Sequence, residues 1–389
     1  MTKTATRLEN LQPYFFAVIA QQLHQMRNSG IDVIALDIGS PDLPPPPGVV
    51  ETLCKSASKP DTHGYTGYRG TPEFRKAVAR YYKRRFDVEL NPDTEILPLL
   101  GSKEGIVNLS LAYLDRGDTS LIPDISYPSY SQGARLAGGD IQWLSVNEED
   151  GYLPQLKDLQ LDKSRNPRIL WLNYPNNPTG AVASNAFYAD AVAFCNDHDL
   201  VLASDNPYVD VTYDGFEAGS VLEIDDAKQC SIEFMSFSKT YNMGGWRLGA
   251  AVGNAEILKR LLQVKSNIDS GHFQSVYDAG VVALDETTSD WIRERNNVYQ
   301  RRRDLIMEVL QSIGLRASLP LGSLYIWAQT LDMDGSRYVQ MALEGAHVAF
   351  APGAAYGPGG EQFIRISLGI ADNRLIEALD RLKHWYQSQ

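Results

Sequence analysis

Lys239 stands in the run Ser236-Phe237-Ser238-Lys239 at the end of an apolar stretch (IEFMSFS, 232–238), and Arg247 follows shortly after it. Three other apolar stretches also end in polar residues. Gly101-Ser102-Lys103 follows ILPLL (96–100), Asn173 through Gly180 closes RILWLNY (168–174), and Asp205-Asn206-Pro207-Tyr208 closes LVLASD (200–205). In open α/β sheets ligands bind beyond the carboxyl ends of the strands, so polar residues at such positions are functional candidates. Taken singly, each has an ordinary explanation: an Asp at a strand end caps a turn, Pro-Thr-Gly is turn chemistry, and a lone loop lysine is solvated.

Together they meet the specification of a pyridoxal phosphate site, which needs a lysine amine for a Schiff base, an acid against the pyridine nitrogen and a cradle for the phosphate. Lys239 supplies the amine; partial burial among cations lowers a lysine pKa enough for nucleophilic attack and proton transfer. Asp205 can keep the pyridine nitrogen protonated, which makes the ring an electron sink. Tyr208 and Asn177 can each donate a hydrogen bond to the cofactor's ring oxygen. Ser102 and Lys103 open the helix-compatible KEGIVNLSLAYL, whose N-terminal amides and dipole suit a dianion, although Ser102 by itself reads as a helix cap. Ser236, Ser238 and Arg247 add hydroxyl donors and a fixed charge. Tyr127, in SYPSY, suits stacking on the pyridine ring, where an aromatic after a strand is otherwise core.

The elements that must hold these residues follow from pattern. From residue 71 onward helical and strand signals alternate: Thr71 can cap a helix with Pro72 at its first position, and Phe74, Val78, Tyr81 and Tyr82 recur at helical spacing. Short apolar runs, including SLIPD (120–124) and RLGAAVG (247–253), recur between helical stretches, which predicts an α/β fold with a mainly parallel central sheet covered by helices. After residue 290 a charged helix (WIRERNNVYQRRRDLIMEVLQ), strand signals around YIWAQ and FIRISL, and a last amphipathic helix predict a smaller α+β domain. The expected division is a large domain over 47–289, with the arm 1–46 and residues 290–389 forming the smaller one. Prolines 44–47 make a stiff connector and a candidate hinge.

Composition narrows the class. Lys and Arg total 36 against 48 Asp and Glu, a net charge of −12, which disfavours nucleic acid and anionic lipid as partners. Cys54, Cys195 and Cys230 follow no disulfide or zinc pattern, so reduced thiols, a cytoplasmic location and no metal are expected. The first residues carry no apolar leader and no stretch has the length of a membrane span.

YTGYRG with PEFR after it, NYPNNPTG, SDNPY, SFSKTYNMGGWRLG and the late FIRISLG occur in order along almost the whole chain. With these motifs the chain resembles the fold-type I pyridoxal phosphate enzymes of the class I/II aminotransferase group. The resemblance implies Lys239 as the Schiff-base lysine, Asp205 as the pyridine partner, and Tyr208 and Asn177 as ring-oxygen ligands, with Asn177 also facing substrate. It further implies Ser236, Ser238 and Arg247 as phosphate ligands and Arg365 as the grip on the substrate α-carboxylate. Gly39, in DIGSPD, falls where a backbone group approaches that carboxylate, and Tyr65 where a neighbouring subunit's tyrosine reaches the phosphate, which implies a homodimer. PYFFAVI, GIDVIALDIGSPDLPPP, GSKEGI and VKSNIDSG are most similar to the branch acting on LL-diaminopimelate, with 2-oxoglutarate as acceptor. In that case Lys103, Lys265 and Asn267 are candidates for the distal carboxylate and Asp269 for the distal ammonium, with the partner subunit a candidate source of one segment. Relatives acting on succinylated diaminopimelate, aspartate, alanine or aromatic amino acids, and carbon–sulfur β-lyases, share the same motifs. A ligand-sensing module of a transcription factor would need a DNA-binding extension and a less acidic balance.

Overall fold

A computed structural model describes residues 2–8, 11, 14–157 and 159–389. The PYFFAVI stretch is therefore described from Tyr14 onward, and its Pro13 lies outside the described residues. In chain order the strands are β1 (Ile34–Ala35), β2 (Ile96–Leu99), β3 (Thr119–Pro123), β4 (Asp140–Leu144), β5 (Pro167–Leu172), β6 (Val201–Asp205), β7 (Ser231–Ser236), β8 (Gly249–Gly253), β9 (Leu315–Arg316), β10 (Tyr325–Thr330), β11 (Val348–Ala349), β12 (Ala351–Pro352) and β13 (Phe363–Ser367).

β2 to β8 form one seven-stranded sheet in the order β2-β8-β7-β6-β5-β3-β4. Only β8 runs against its neighbours; the other pairs are parallel. Each apolar run expected to be a strand is one, because a strand covered on both faces must be apolar at successive positions. β5 shows this directly: Leu170 and Leu172 enter the core on one face, Ile169 and Trp171 the core on the other. β4 (DIQWL) gave no such signal. It is the edge strand, largely half-buried, and polar residues are tolerated there.

The helix Pro72–Phe86 starts as expected, with Thr71 Oγ1 accepting from the Phe74 amide at 3.4 Å, and it buries Phe74, Val78, Tyr81 and Tyr82 against the sheet. The later segments form a separate antiparallel sheet, β12-β13-β10-β9, with a core of its own. The N-terminal arm joins it through parallel pairing of β1 with β11, Ile34 opposite Val348 and Ala35 opposite Ala349.

The charged helix spans Ser289–Val309, and Arg295, Arg302 and Arg303 on it are buried. Arg302 donates to Asp42 at 2.7 and 3.0 Å, to Asp372 at 2.6 Å and to the Leu368 carbonyl at 3.1 Å. Asp42 lies two residues before Pro44 of the proline connector, and Asn242 donates to the Pro44 carbonyl at 3.1 Å, so this stretch is pinned from both parts of the chain. All three cysteines are free thiols. Among the described residues no helix is long and apolar enough to cross a membrane.

Removing the Arg302 side chain takes the donor from the buried Leu368 carbonyl and from the more exposed carboxylates of Asp42 and Asp372. Arg302→Ala is expected to lower unfolding free energy by about 2 kcal/mol, the scale of a lost charged hydrogen bond, because the carboxylates left behind are partly open to solvent. Chemical denaturation reads it, and an unchanged midpoint would show that the pinning carries no stability.

Candidate active site

The carboxyl ends of the central strands, the arm and the small sheet enclose a cavity of about 350 Å³. Gly39, Ser102, Lys103, Tyr127, Asn177, Asp205, Tyr208, Ser236, Ser238, Lys239, Arg247 and Arg365 all line it. Tyr65 does not: its side chain is 92% exposed.

Asp205 is the last residue of β6 and is fully buried. Its Oδ2 accepts from the Tyr130 hydroxyl at 2.8 Å, and Tyr130 is itself fixed by stacking on Trp171, centroids 4.8 Å apart. Its main-chain oxygen accepts from Asn173 Nδ2 at 2.6 Å. Oδ1 is buried with no partner. Burial pushes the carboxyl pKa up to about 7, with Glu233 adding to the rise and the Tyr130 hydrogen bond opposing it. An acid held in place with one lone pair unspent is suited to a cationic N–H donor such as a protonated pyridine.

At the other end lies an anion cradle. Helix Ser102–Tyr113 presents its first amides here after Gly101, whose φ of +82° favours glycine. A Cβ on Gly101 would stand 2.4 Å from Arg247 Nη2, so glycine also lets the guanidinium approach. Arg247 holds φ +56° and donates to the Gly244 carbonyl at 2.9 Å and to Ser238 Oγ at 3.5 Å. Ser236 Oγ accepts from the Ser238 amide at 3.2 Å. The Lys103 amine lies 3.7 Å above the Tyr14 ring, turned to the arm.

Between these ends Lys239 sits on the short helix after β7, its Nζ donating to the Gly39 carbonyl. Burial lowers its pKa, and Arg365 and Arg247 lower it further against an opposing effect of Tyr325. Arg295 holds the lysine from behind, donating to the carbonyls of Lys239 (3.1 Å), Thr240 and Asp210. Arg365, buried on β13, donates to Asn177 Oδ1 at 2.9 Å and to the Asp37 carbonyl at 2.6 Å, while its Nε has no partner. With its oxygen committed to Arg365, Asn177 has its NH₂ group left to donate.

The distal contacts expected from VKSNIDSG do not reach the cavity of their own protomer. Lys265 is buried and paired with both Asp269 oxygens at 2.6 and 2.7 Å, with Glu104 at 3.7 Å. A buried ammonium needs a counter-ion, and Asp269 one turn later supplies it. Asn267 donates to the Gln263 carbonyl, and none of the three lines the cavity. Pattern reading also missed Tyr130, Tyr325, Arg295, Tyr14 and Phe16. Tyr130 stands in the same SYPSY run as Tyr127, and Tyr325 opens the YIWAQ strand, but nothing local says that either hydroxyl turns toward the site.

Residues 31–382 match the sequence family described as aminotransferase class I and II. Among curated proteins, an LL-diaminopimelate aminotransferase of Dehalococcoides mccartyi is 42% identical over 384 residues, covering 98% of this chain and 99% of the relative. Among solved structures, apo-BacF from Bacillus subtilis superposes with a TM-score of 0.94 at 34% identity over 99% of this chain and 98% of its own. A probable N-succinyldiaminopimelate aminotransferase from Thermus thermophilus superposes with a TM-score of 0.88 at 38% identity, over 95% and 99% of the two chains.

The raised pKa of Asp205 makes a thermodynamic prediction for the cofactor-free protein. A carboxyl whose folded pKa is about 7 against an ordinary 3.8 favours folding while protonated, so its contribution is full below about pH 4 and is lost as pH rises through about 7. Asp205→Asn should therefore gain stability relative to the parent as pH rises across that window, measured by denaturation at each pH. A difference between the two proteins that does not change with pH would mean that Asp205 is not a strained acid.

Proposed function

The chain belongs to the class I and II aminotransferases, and on that premise we propose that it is a pyridoxal 5′-phosphate enzyme moving the α-amino group of LL-diaminopimelate to 2-oxoglutarate in lysine biosynthesis. The observation that carries the cofactor assignment is the buried, unpartnered Oδ1 of Asp205, set in one cavity with a lysine amine and an anion cradle. The name and 42% identity of the curated relative support the substrate.

When bound, the cofactor supplies an electron-withdrawing ring for the pair left as the substrate's Cα–H bond breaks. The chain's own groups do the rest. Asp205 keeps the proton on the pyridine nitrogen, and Tyr130 keeps Asp205 turned to it. The amides at Ser102, the hydroxyls of Ser236 and Ser238, and Arg247 hold the phosphate. Tyr208 and Asn177 donate to the ring oxygen, and Tyr127 packs on the ring. Lys239 anchors the cofactor and carries the α-proton, its amine pKa lowered by burial and by Arg365 and Arg247. Arg365 takes the α-carboxylate with its unspent donors beside the bare backbone of Gly39, and Asn177 braces it. Lys103 offers its charge to the distal carboxylate or the phosphate.

In this reading residues 47–289 form the cofactor-binding domain, with 1–46 and 290–389 as the smaller one. The protein acts as a cytoplasmic homodimer in which the exposed Tyr65 serves the partner's phosphate site.

Reduction of the holoenzyme with borohydride should leave the pyridoxyl mass on the peptide carrying Lys239; its appearance on another lysine would refute the anchor. In a panel against 2-oxoglutarate, LL-diaminopimelate should exceed aspartate, alanine and phenylalanine in kcat/KM by at least about a hundredfold, the scale of two polar contacts left unpaired by the poorer donors. Equal turnover of aspartate or phenylalanine would refute that donor. Release of pyruvate from cysteine without an added oxo acid would point to elimination instead.

A further inference from the structure

Tyr325 opens β10 opposite Ser367, next to the strand that carries Arg365, and it is 2% exposed. Its ring centroid is 4.0 Å from the Arg365 guanidinium carbon, against 5.0 Å for Tyr356 and 5.4 Å for Phe16. Its hydroxyl lies 2.9 Å from that of Tyr208, also buried, and 3.4 Å from the Gly39 carbonyl. The approach to Gly39 is so close that a Cβ there would stand 1.9 Å from the Tyr325 oxygen. One side chain thus touches three parts of the site, each from a different segment of the chain.

We propose that Tyr325 is a positioning residue with two separable duties: its ring carries the Arg365 guanidinium, and its hydroxyl donates to Tyr208 and so aims and strengthens the Tyr208 hydrogen bond to the cofactor. The inference rests on the reading that Tyr208 meets the ring oxygen and Arg365 the substrate carboxylate. A count of protons supports it. A phenol has one proton; when Tyr208 spends its own on the ring oxygen, the 2.9 Å contact is a hydrogen bond only if Tyr325 is the donor. The competing acceptor, the Gly39 carbonyl, is farther away, at 3.4 Å against 2.9 Å. Donation into Tyr208 polarises its hydroxyl between two buried side chains, where such chains of hydrogen bonds strengthen one another. The charges facing Tyr325 are Lys239 and Arg365; Tyr127 and Tyr356 are neutral neighbours of the pair. Burial pushes the Tyr325 pKa up, but Lys239 and Arg365, with hydrogen bonds to Tyr208 and Arg365, hold it below the ordinary tyrosine value.

The test uses the holoenzyme with Tyr325→Phe, Tyr325→Leu, Tyr208→Phe, Arg365→Lys and the double variant Tyr325→Phe/Tyr208→Phe. The readouts are the pH midpoint of the bound cofactor's visible band and KM for the amino donor. Tyr208→Phe should raise the midpoint, because the ring oxygen loses a donor to its anionic form. Tyr325→Phe should raise it by about half a unit to one unit, the effect of one hydrogen bond, with KM unchanged. The double variant should move it no further than Tyr208→Phe alone, since the one residue acts through the other. Tyr325→Leu should also raise KM about tenfold through loss of the ring beneath the guanidinium. A midpoint unmoved in Tyr325→Phe while Tyr208→Phe shifts it, or additive shifts in the double variant, would overturn the inference and leave the proposed function standing. If Tyr208→Phe leaves the midpoint and Arg365→Lys leaves KM at the parent values, the assignments beneath it fall, and the inference with them. Tyr325→Phe preserves the packing, so its result decides the hydroxyl's duty even if Tyr325→Leu does not fold.

Discussion

A carboxylate buried with one oxygen unpartnered holds its charge at neutral pH only if a cation is brought to it. Asp205 is in that position, and the arrangement around it makes sense as a means of keeping it there. A parallel strand between two others delivers it to the carboxyl end of the sheet, Asn173 fixes its backbone, and Tyr130 on its Trp171 support takes up one oxygen only. Glu233 on the adjoining strand shows the contrast. It is equally buried, yet Tyr82, Ser204, Ser220 and the Val221 amide all donate to it, so nothing remains for a ligand.

The same distinction separates the cations. Arg302 and Lys265 are buried with carboxylates and serve the fold. Lys239, Arg247 and Arg365 are held by carbonyls, hydroxyls and an amide, and among the described residues none has a carboxylate within ion-pair distance. In a chain of net charge −12 this concentrates unpaired positive charge in one cavity, a setting for a phosphate at one end and a substrate carboxylate at the other. Arg295 extends the logic behind the lysine: its charge is spent on carbonyls that fix the turn bearing Lys239 and the loop after Tyr208.

How much of this the sequence revealed follows from which signals are local. β5, β6 and β7 were legible because strands covered on both faces are mostly apolar, and the residues that end them were therefore legible as candidates. β4 was not, since an edge strand need not be apolar. Lys265 and Asp269 were assigned to substrate because their spacing cannot show that they face each other in a buried pair. Tyr130, Tyr325 and Arg295 escaped for a related reason: each matters through a partner on a distant segment, such as Tyr130 with Asp205 or Tyr325 with Arg365 and Tyr208. Aromatic residues in strand-like or turn-like runs ordinarily read as core, and only the three-dimensional pairing distinguishes them.

Asp205 is proposed to hold a protonated pyridine, and nitrogen NMR of the holoenzyme loaded with ¹⁵N-labelled pyridoxal phosphate reads that proton directly. The pyridine nitrogen should keep a protonated chemical shift throughout the neutral pH range and lose it in Asp205→Ala. An unprotonated nitrogen in the parent enzyme, or a shift indifferent to the loss of Asp205, would contradict the account.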